Sequence, residues 1–295
     1  MKYYLETNAL RSLSKDFYKS ENITNCFTSG LSIVELISGL NENEYYIRRK
    51  VLCNLINSNI DIDWELPDGI IGSAFPVISG IEYRIDDLKK ICQIIIETQI
   101  YDIAYKKIQD NTKYNLKYFS ELDKVIPKIF IEATITGNIE ISKVLSENKL
   151  EELKLSEDDL VENNLDLLNL YNTKHFNINY SIMINSIARR FARMIYPDDE
   201  VKQKIVETDI YNSYNHSIDH YIVAYSYYTI EKIKYKAIPA KNDIFDLQHL
   251  LYLKSYEDHK IVTNDNLLVK LCRHLFPGYL ITIDEFLVEY RRNCI

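Results

Sequence analysis

Two short apolar runs in this chain are each followed by an acidic residue and then by a helix-like run. Residues 2–5 lead into Glu6, and residues 260–263 lead through Asn264 into Asp265. Short runs rich in β-branched and aromatic residues predict strands, and Asn or Asp directly after them predicts a turn or a helix cap. Ligands of open α/β sheets bind beyond the carboxyl ends of the strands. Glu6 and Asp265 are therefore candidate ligands of one site at such an edge.

Two further candidates, Glu35 and Asp246, belong to runs with helical spacing. Glu35 lies in residues 31–40 on the side away from the apolar face, among small residues that leave room for a ligand. A solvated surface glutamate is the alternative interpretation of this residue. Asp246 opens a run whose leucines face the core, and Asp243 precedes it by three positions. Helix capping explains Asp243, which is kept as an additional metal candidate, while Asp246 is expected to face the sheet edge.

Four carboxylates at one site are typical of a site that binds a divalent cation. Four of them in one cleft repel one another, and some stay protonated, unless a cation neutralises them. Hard oxygen ligands without a Cys or His partner suit Mg²⁺ or Mn²⁺. Such an ion activates a water molecule and stabilises the charge that builds on a phosphodiester. The sequence therefore predicts metal-dependent phosphodiester hydrolysis, with the same residues as catalytic groups and metal ligands: Glu6, Glu35, Asp246 and Asp265.

Composition limits the partners and the compartment. The chain has 295 residues, of which 46% are hydrophobic and 26% charged, and its net charge is −8. This charge disfavours unfocused binding to nucleic acid, although an acidic metal site with local basic patches is compatible with such a partner. Five cysteines without close pairs predict reduced thiols, and no apolar run approaches the roughly 20 residues of a membrane span. We therefore expect a cytoplasmic protein without a membrane partner.

The elements that must position the acids are distributed unevenly. Strand-like runs lie near the two ends of the chain, whereas apolar residues at helical spacing dominate the middle. This pattern predicts an α/β fold with a central parallel sheet flanked by helices, and helices dominate overall. The predicted domains are a discontinuous α/β domain, residues 1–75 and 236–295, and an all-helical insertion, residues 76–235.

Four segments resemble, in chain order, the acidic motifs of PIN-domain nucleases: YYLETNAL, SIVELISGL, DLQHLLYL and KIVTNDNLL. The resemblance covers residues 1–65 and 238–290, and its most specific part is the strand that ends in Thr-x-Asp before a helix. It implies a Rossmann-like, PIN-like sheet of parallel strands and a Mg²⁺- or Mn²⁺-dependent endoribonuclease site for single-stranded RNA. It also assigns the four acids to the metal, with polar support from Thr7, Asn8, Thr263 and Asn264.

The chain departs from the family pattern in two respects. The first acid is Glu6 where the family usually has Asp, and a longer side chain suits Mn²⁺ better than the strictly octahedral Mg²⁺. The long helical insertion indicates a larger member of the family, with a surface for a protein partner or a homo-oligomer. Two alternatives stay open, namely DNA as the substrate and a PIN-like binding or scaffold protein with weak or no catalysis.

Overall fold

A computed structural model describes residues 1–19, 21–76, 84–147, 174–234, 237–254 and 258–293. Its centre is a five-stranded sheet in which every neighbouring pair of strands is parallel. The strands follow the spatial order β3-β2-β1-β4-β5. They are β1 (Lys2–Leu5), β2 (Cys26–Ser29), β3 (Asp61–Asp63), β4 (His259–Val262) and β5 (Leu280–Ile281).

Helices account for most of the described residues. The first group, up to the middle of the chain, is α1 (Thr7–Ser12), α2 (Lys15–Tyr18), α3 (Gly30–Ile37), α4 (Glu42–Ile56), α5 (Pro67–Ser73), α6 (Ile85–Glu97), α7 (Tyr101–Asn111) and α8 (Leu116–Glu147). The second group is α9 (Lys174–Ile195), α10 (Glu200–Asn212), α11 (Asp219–Lys234), α12 (Asp243–His249), α13 (Asn266–Leu275) and α14 (Ile283–Asn293). Short 3₁₀ turns cover Glu21–Asn25, Leu250–Tyr252 and Pro277–Tyr279.

The two faces of the sheet are covered by two different hydrophobic clusters. Side chains alternate between faces along a strand. Accordingly, Tyr4 and Ile261 pack into one cluster, which includes residues of α9, α11, α12 and α13. Leu5 and Val262, their neighbours in the chain, pack into the other, which includes residues of α1, α3, α4 and α6. The prediction of a helix-dominated chain with a parallel sheet between helices is confirmed.

The sheet joins the two ends of the chain. Its central strand β1 pairs with β2 on one side and with β4 on the other. The predicted strand at residues 2–5 is found as expected, and the strand predicted at 260–263 begins and ends one residue earlier. The division into a discontinuous sheet domain and a helical insertion stays a prediction, and residues 148–173 of that insertion lie outside the described residues. Within the described ranges, no helix has the length and apolarity needed to cross a bilayer.

Candidate metal centre

Glu6 lies at the carboxyl end of β1 and caps the helix that follows. Its Oε2 accepts a hydrogen bond from the backbone N–H of Asn8 at 2.6 Å, and its side chain starts α1 as the N-cap. The residue is only 2% exposed, and its second oxygen, Oε1, has no hydrogen-bond partner among the described residues. Burial raises the pKa of Glu6, although the charge of His249, the Asn8 N–H and the Thr263 hydroxyl oppose that shift. One carboxylate oxygen of Glu6 thus caps α1, and the other is buried without a hydrogen bond of normal geometry.

Asp265, three residues beyond the end of β4, also caps the helix that follows its strand. Its Oδ1 accepts hydrogen bonds from the backbone N–H groups of Leu267 and Leu268 at 2.9 and 3.0 Å, which makes it the N-cap of α13. The fully buried Thr263 supports the corner, since its Oγ1 accepts the Asp265 N–H at 2.9 Å. Both bonds to the carboxylate use the same oxygen.

Glu35 faces the site from α3 and is not a solvated surface glutamate. Its side chain is 23% exposed, and its Oε2 accepts hydrogen bonds from the Thr7 hydroxyl and from His249 Nε2, the latter at 3.1 Å. Burial raises the pKa of Glu35, but the charge and hydrogen bond of His249, the Thr7 hydroxyl and the charge of Arg11 together bring it below its usual value. Glu35 is therefore held as a carboxylate.

The end of α3, just beyond Glu35, is fixed by Arg48. The Arg48 guanidinium donates to the backbone carbonyls of Glu35, Leu36 and Ser38 at 3.2, 3.2 and 2.7 Å. Unpaired carbonyls at a helix end need donors, and a cation also favours the negative end of the helix dipole. The helix that carries Glu35 is thus anchored at its carboxyl end.

Asp246, on α12, completes the acidic group. Burial, the negative charge of Asp265 and the charges of Glu35 and Asp243 raise its pKa to about 7, while His249 opposes them. Glu6 also senses the negative charge of Glu35. Electrostatic interactions therefore link Asp246 to Asp265 and Glu35, and Glu35 to Glu6, so that the four acids form one connected group.

Asp243 is engaged differently from these four acids. Its Oδ2 accepts hydrogen bonds from the Tyr228 hydroxyl and, at 2.8 Å, from the Ala240 N–H, and lies 3.4 Å from Lys232 Nζ. The N-cap of α12 is Asn242, so the cap expected at Asp243 is displaced by one residue. These contacts tie α12 to α11 and leave Asp243 at the margin of the site.

Two of the predicted supporting residues are exposed, and one of them supports an acid only through its backbone. Asn264 is exposed, and its Oδ1 accepts the N–H of Ile283 at 3.1 Å, which joins the turn after β4 to the start of α14. Asn8 is also exposed and contributes its backbone N–H to Glu6. Thr7 and Thr263, by contrast, are buried. The Thr7 hydroxyl donates to the Glu35 carboxylate, and Thr263 Oγ1 accepts the backbone N–H of Asp265.

Sequence reasoning missed the role of His249. Its ring is 1% exposed, so it lies beneath the acids and not in a position to contact a substrate. Its Nδ1 lies 2.6 Å from the Tyr4 hydroxyl, which in turn lies 2.7 Å from Ser29 Oγ. The available signal was its spacing, because His249 follows Asp246 by three positions and such residues share a helix face.

The donor set fits a hard divalent cation. It consists of carboxylate oxygens, which Mg²⁺ and Mn²⁺ prefer, and it includes the unsatisfied Glu6 Oε1. As the side chains stand, no three His, Cys, Asp or Glu residues in the described parts of the chain are arranged to hold a metal ion. The fit to a hard cation therefore lies in the chemistry of the donor oxygens.

Comparisons with protein-family models, with curated proteins and with solved structures find no match for this chain.

Proposed function

We propose that the chain is a PIN-like phosphodiesterase that uses Mg²⁺ or Mn²⁺ to cleave single-stranded RNA internally. The observation that carries this proposal is the grouping of Glu6, Glu35, Asp246 and Asp265 at one sheet edge, with Glu6 Oε1 buried and without a hydrogen bond of normal geometry. An unsatisfied buried polar group costs about 1–3 kcal/mol, and more when it is charged. A divalent cation would satisfy that oxygen and offset the repulsion among the acids.

The sheet topology supports a Rossmann-like, PIN-like assignment. From the central strand β1 the chain first builds outward through β2 and β3, and it later returns to build β4 and β5 on the other side. The order of the strands thus reverses between β1 and β4, and ligands of open parallel sheets bind in the crevice at such a switch point. Glu6 follows β1 and Asp265 follows β4, so both acids flank that crevice.

Each residue of the centre has a defined part in the proposed reaction. Glu6, Glu35, Asp246 and Asp265 would hold the cation, which supplies an activated water and stabilises charge on the phosphodiester. The Thr7 hydroxyl keeps Glu35 Oε2 oriented. Asp246, with a pKa of about 7, carries a proton in part of the metal-free protein near neutral pH and releases it when a cation binds.

Arg11 supplies a positive charge beside the acids. It is exposed, lies on α1 one turn beyond Thr7, and its charge helps to lower the pKa of Glu35. In the proposed complex we assign it to a substrate phosphate, since a guanidinium binds phosphate oxygens through two parallel hydrogen bonds. Replacement by Gln is expected to raise KM more than it lowers kcat.

Asp265→Asn is the sharpest test of this function. Asn is as good an N-cap as Asp and retains the oxygen that accepts from Leu267 and Leu268, so the fold is preserved while the charge is lost. With single-stranded RNA and Mn²⁺ or Mg²⁺, we expect cleavage that EDTA abolishes and that this variant loses by more than about tenfold. Asp258→Asn, at a side chain 72% exposed, is the matched control and should cleave like wild type.

Cleavage that persists in EDTA or in the Asp265→Asn protein would contradict the proposed function. Parallel incubation with single-stranded DNA distinguishes the two nucleic acids as substrates.

A PIN-like scaffold without catalysis is the second candidate. The observation that favours it is the His249 contact to Glu35, because a protonated imidazole can neutralise that carboxylate without a metal ion. This candidate predicts that Mn²⁺ leaves the melting temperature unchanged. Metal binding to the folded state alone would instead stabilise the protein by about 2.7 kcal/mol at a hundredfold excess over Kd.

A further inference from the structure

We propose that His249 is a positioning residue that fixes the Glu35 carboxylate for cation binding, and that a buried hydrogen-bonded chain through Tyr4 to Ser29 holds it in place. This inference rests on the proposed metal-dependent function, which it deepens by assigning a residue that supports the ligands from below.

The chain is continuous and buried. It runs from Ser29 Oγ to the Tyr4 hydroxyl at 2.7 Å, from Tyr4 to His249 Nδ1 at 2.6 Å, and from His249 Nε2 to Glu35 Oε2 at 3.1 Å. Ser29 is fixed in turn, because its Oγ accepts the backbone N–H of Ser32 at 3.1 Å. Tyr4 and Ser29 are fully buried and His249 is 1% exposed. Few alternative rotamers are open to groups packed in this way.

The direction of the bond to Glu35 does not depend on the charge of the imidazole. An ionised carboxylate only accepts hydrogen bonds, so Nε2 carries a hydrogen and donates it in both the neutral and the protonated ring. The Tyr4 hydroxyl, on the opposite nitrogen, sets the plane of the ring and the nitrogen that donates. Histidines that orient metal-binding groups are themselves oriented in this manner.

The Tyr4 ring is itself immobilised by aromatic packing. It stacks on Tyr252 with centroids 5.4 Å apart, and the Tyr252 hydroxyl donates to the Glu65 carbonyl at 2.7 Å. Phe27 lies on it with a centroid distance of 5.2 Å. Tyr4 is also two residues before Glu6 on the same strand and helix corner. The turn after β1 therefore carries Glu6 and, two residues earlier, the Tyr4 that orients His249 beside Glu35.

The two carboxylate oxygens of Glu35 therefore have different roles. Oε2 receives both the Thr7 hydroxyl and His249 Nε2, which prevents the carboxylate from rotating freely. Oε1 is then the oxygen presented to a cation. Helix α12 therefore carries both a proposed metal ligand, Asp246, and the residue that positions Glu35, His249.

This inference is tested by measuring the Mn²⁺ affinity of three variants, two at His249 and one at Tyr4. The melting temperature of each variant without metal is measured in parallel. His249→Leu removes the donor, and we expect Mn²⁺ binding to weaken about 10–100-fold. His249→Gln restores an N–H donor, and we expect it to recover most of that loss. Tyr4→Phe keeps the ring but removes the hydroxyl that orients His249, and we expect a loss of about tenfold.

His220→Gln is the matched control for loss of a buried histidine. His220 is 6% exposed, and its Nδ1 contacts the Leu253 carbonyl at 2.8 Å, away from the acids. The variant should change the melting temperature without changing Mn²⁺ affinity.

Wild-type Mn²⁺ affinity in both His249→Leu and Tyr4→Phe would overturn the positioning role and leave the metal site standing. Should His249→Leu fail to fold, unchanged affinity in Tyr4→Phe alone would overturn it. A wild-type protein that does not bind Mn²⁺ would overturn the proposed function and this inference together.

Discussion

Glu6 and Asp265 follow two strands that pair in register, with Leu5 opposite Val262, and each acid caps the helix that begins after its strand. The central pair of the sheet thus ends in two similar corners, one built by the start of the chain and one by residues more than 250 positions later. Capping uses one oxygen of each carboxylate in hydrogen bonds to backbone N–H groups. The same residues therefore stabilise local structure and present negative charge at the switch point of the sheet.

Asp246→Asn is expected to stabilise the metal-free protein. The folded-state pKa of Asp246 is raised from 3.8 to about 7, so the folded protein binds the proton more tightly than the unfolded chain does. Stability is therefore lost as pH rises from about 4 to about 7, where the folded protein must ionise this group. We expect the variant to match wild type near pH 4 and to exceed it by on the order of 1–3 kcal/mol above pH 7, allowing for solvent screening.

Chemical denaturation in EDTA across this pH range measures the difference. Asp110→Asn, at an exposed position on α7, is the control and should show no such pH-dependent gain. Equal stability of Asp246→Asn and wild type at pH 8 would contradict the raised pKa of Asp246.

Gly30→Ala is expected to disturb the helix that carries Glu35. A Cβ at this position would lie 2.7 Å from the backbone oxygen of Trp64, so the start of α3 or the segment after β3 must move. Overpacking of this kind costs about 1–3 kcal/mol. Gly278→Ala is the matched control, because nothing lies within 4 Å of a Cβ there. Thermal unfolding should show a lowered melting temperature for the first variant only, and equal values would contradict the close approach.

Glu6→Asp is expected to shift the metal preference towards Mg²⁺. Asp remains a good N-cap for α1, so the bond to the Asn8 N–H is retained. The shorter side chain changes the reach of the free oxygen, and Mg²⁺ demands stricter octahedral geometry at about 2.0–2.1 Å. We therefore expect wild type to be more active with Mn²⁺ than with Mg²⁺, and this ratio to fall in the variant. A ratio that matches wild type, as expected for the exposed control Glu97→Asp, would argue against Glu6 as a ligand.

The sheet corners could be predicted from sequence because local signals define them. A short apolar run followed by an acid and a helix-like run specifies strand, cap and helix within a few residues, as at Glu6 and Asp265. Local signals of this kind predict strands at 2–5 and near 260, and the structure has both. The spatial order of the strands was not predicted, because it depends on pairing between residues distant in the chain.

The contacts beneath the acids could not be predicted for the same reason. His249 and Glu35 are separated by 214 positions and His249 and Tyr4 by 245, and no local pattern links them. The sequence pattern predicts a helix cap at Asp243, whereas in the structure its carboxylate contacts Tyr228 and Lys232 on α11. Side-chain partners of buried polar groups are set by tertiary packing, which a single sequence does not display.

A crystal soaked with Mn²⁺ tests the central claim most directly, because Mn²⁺ is located by its anomalous scattering. We predict an anomalous peak in the cleft, within about 2.0–2.3 Å of carboxylate oxygens, the range of ordinary metal–oxygen bonds. Its ligands should come from Glu6, Glu35, Asp246 and Asp265, and the peak should weaken in Asp265→Asn. A cleft without anomalous signal at saturating Mn²⁺, or a peak bound only by residues outside this group, would contradict the account.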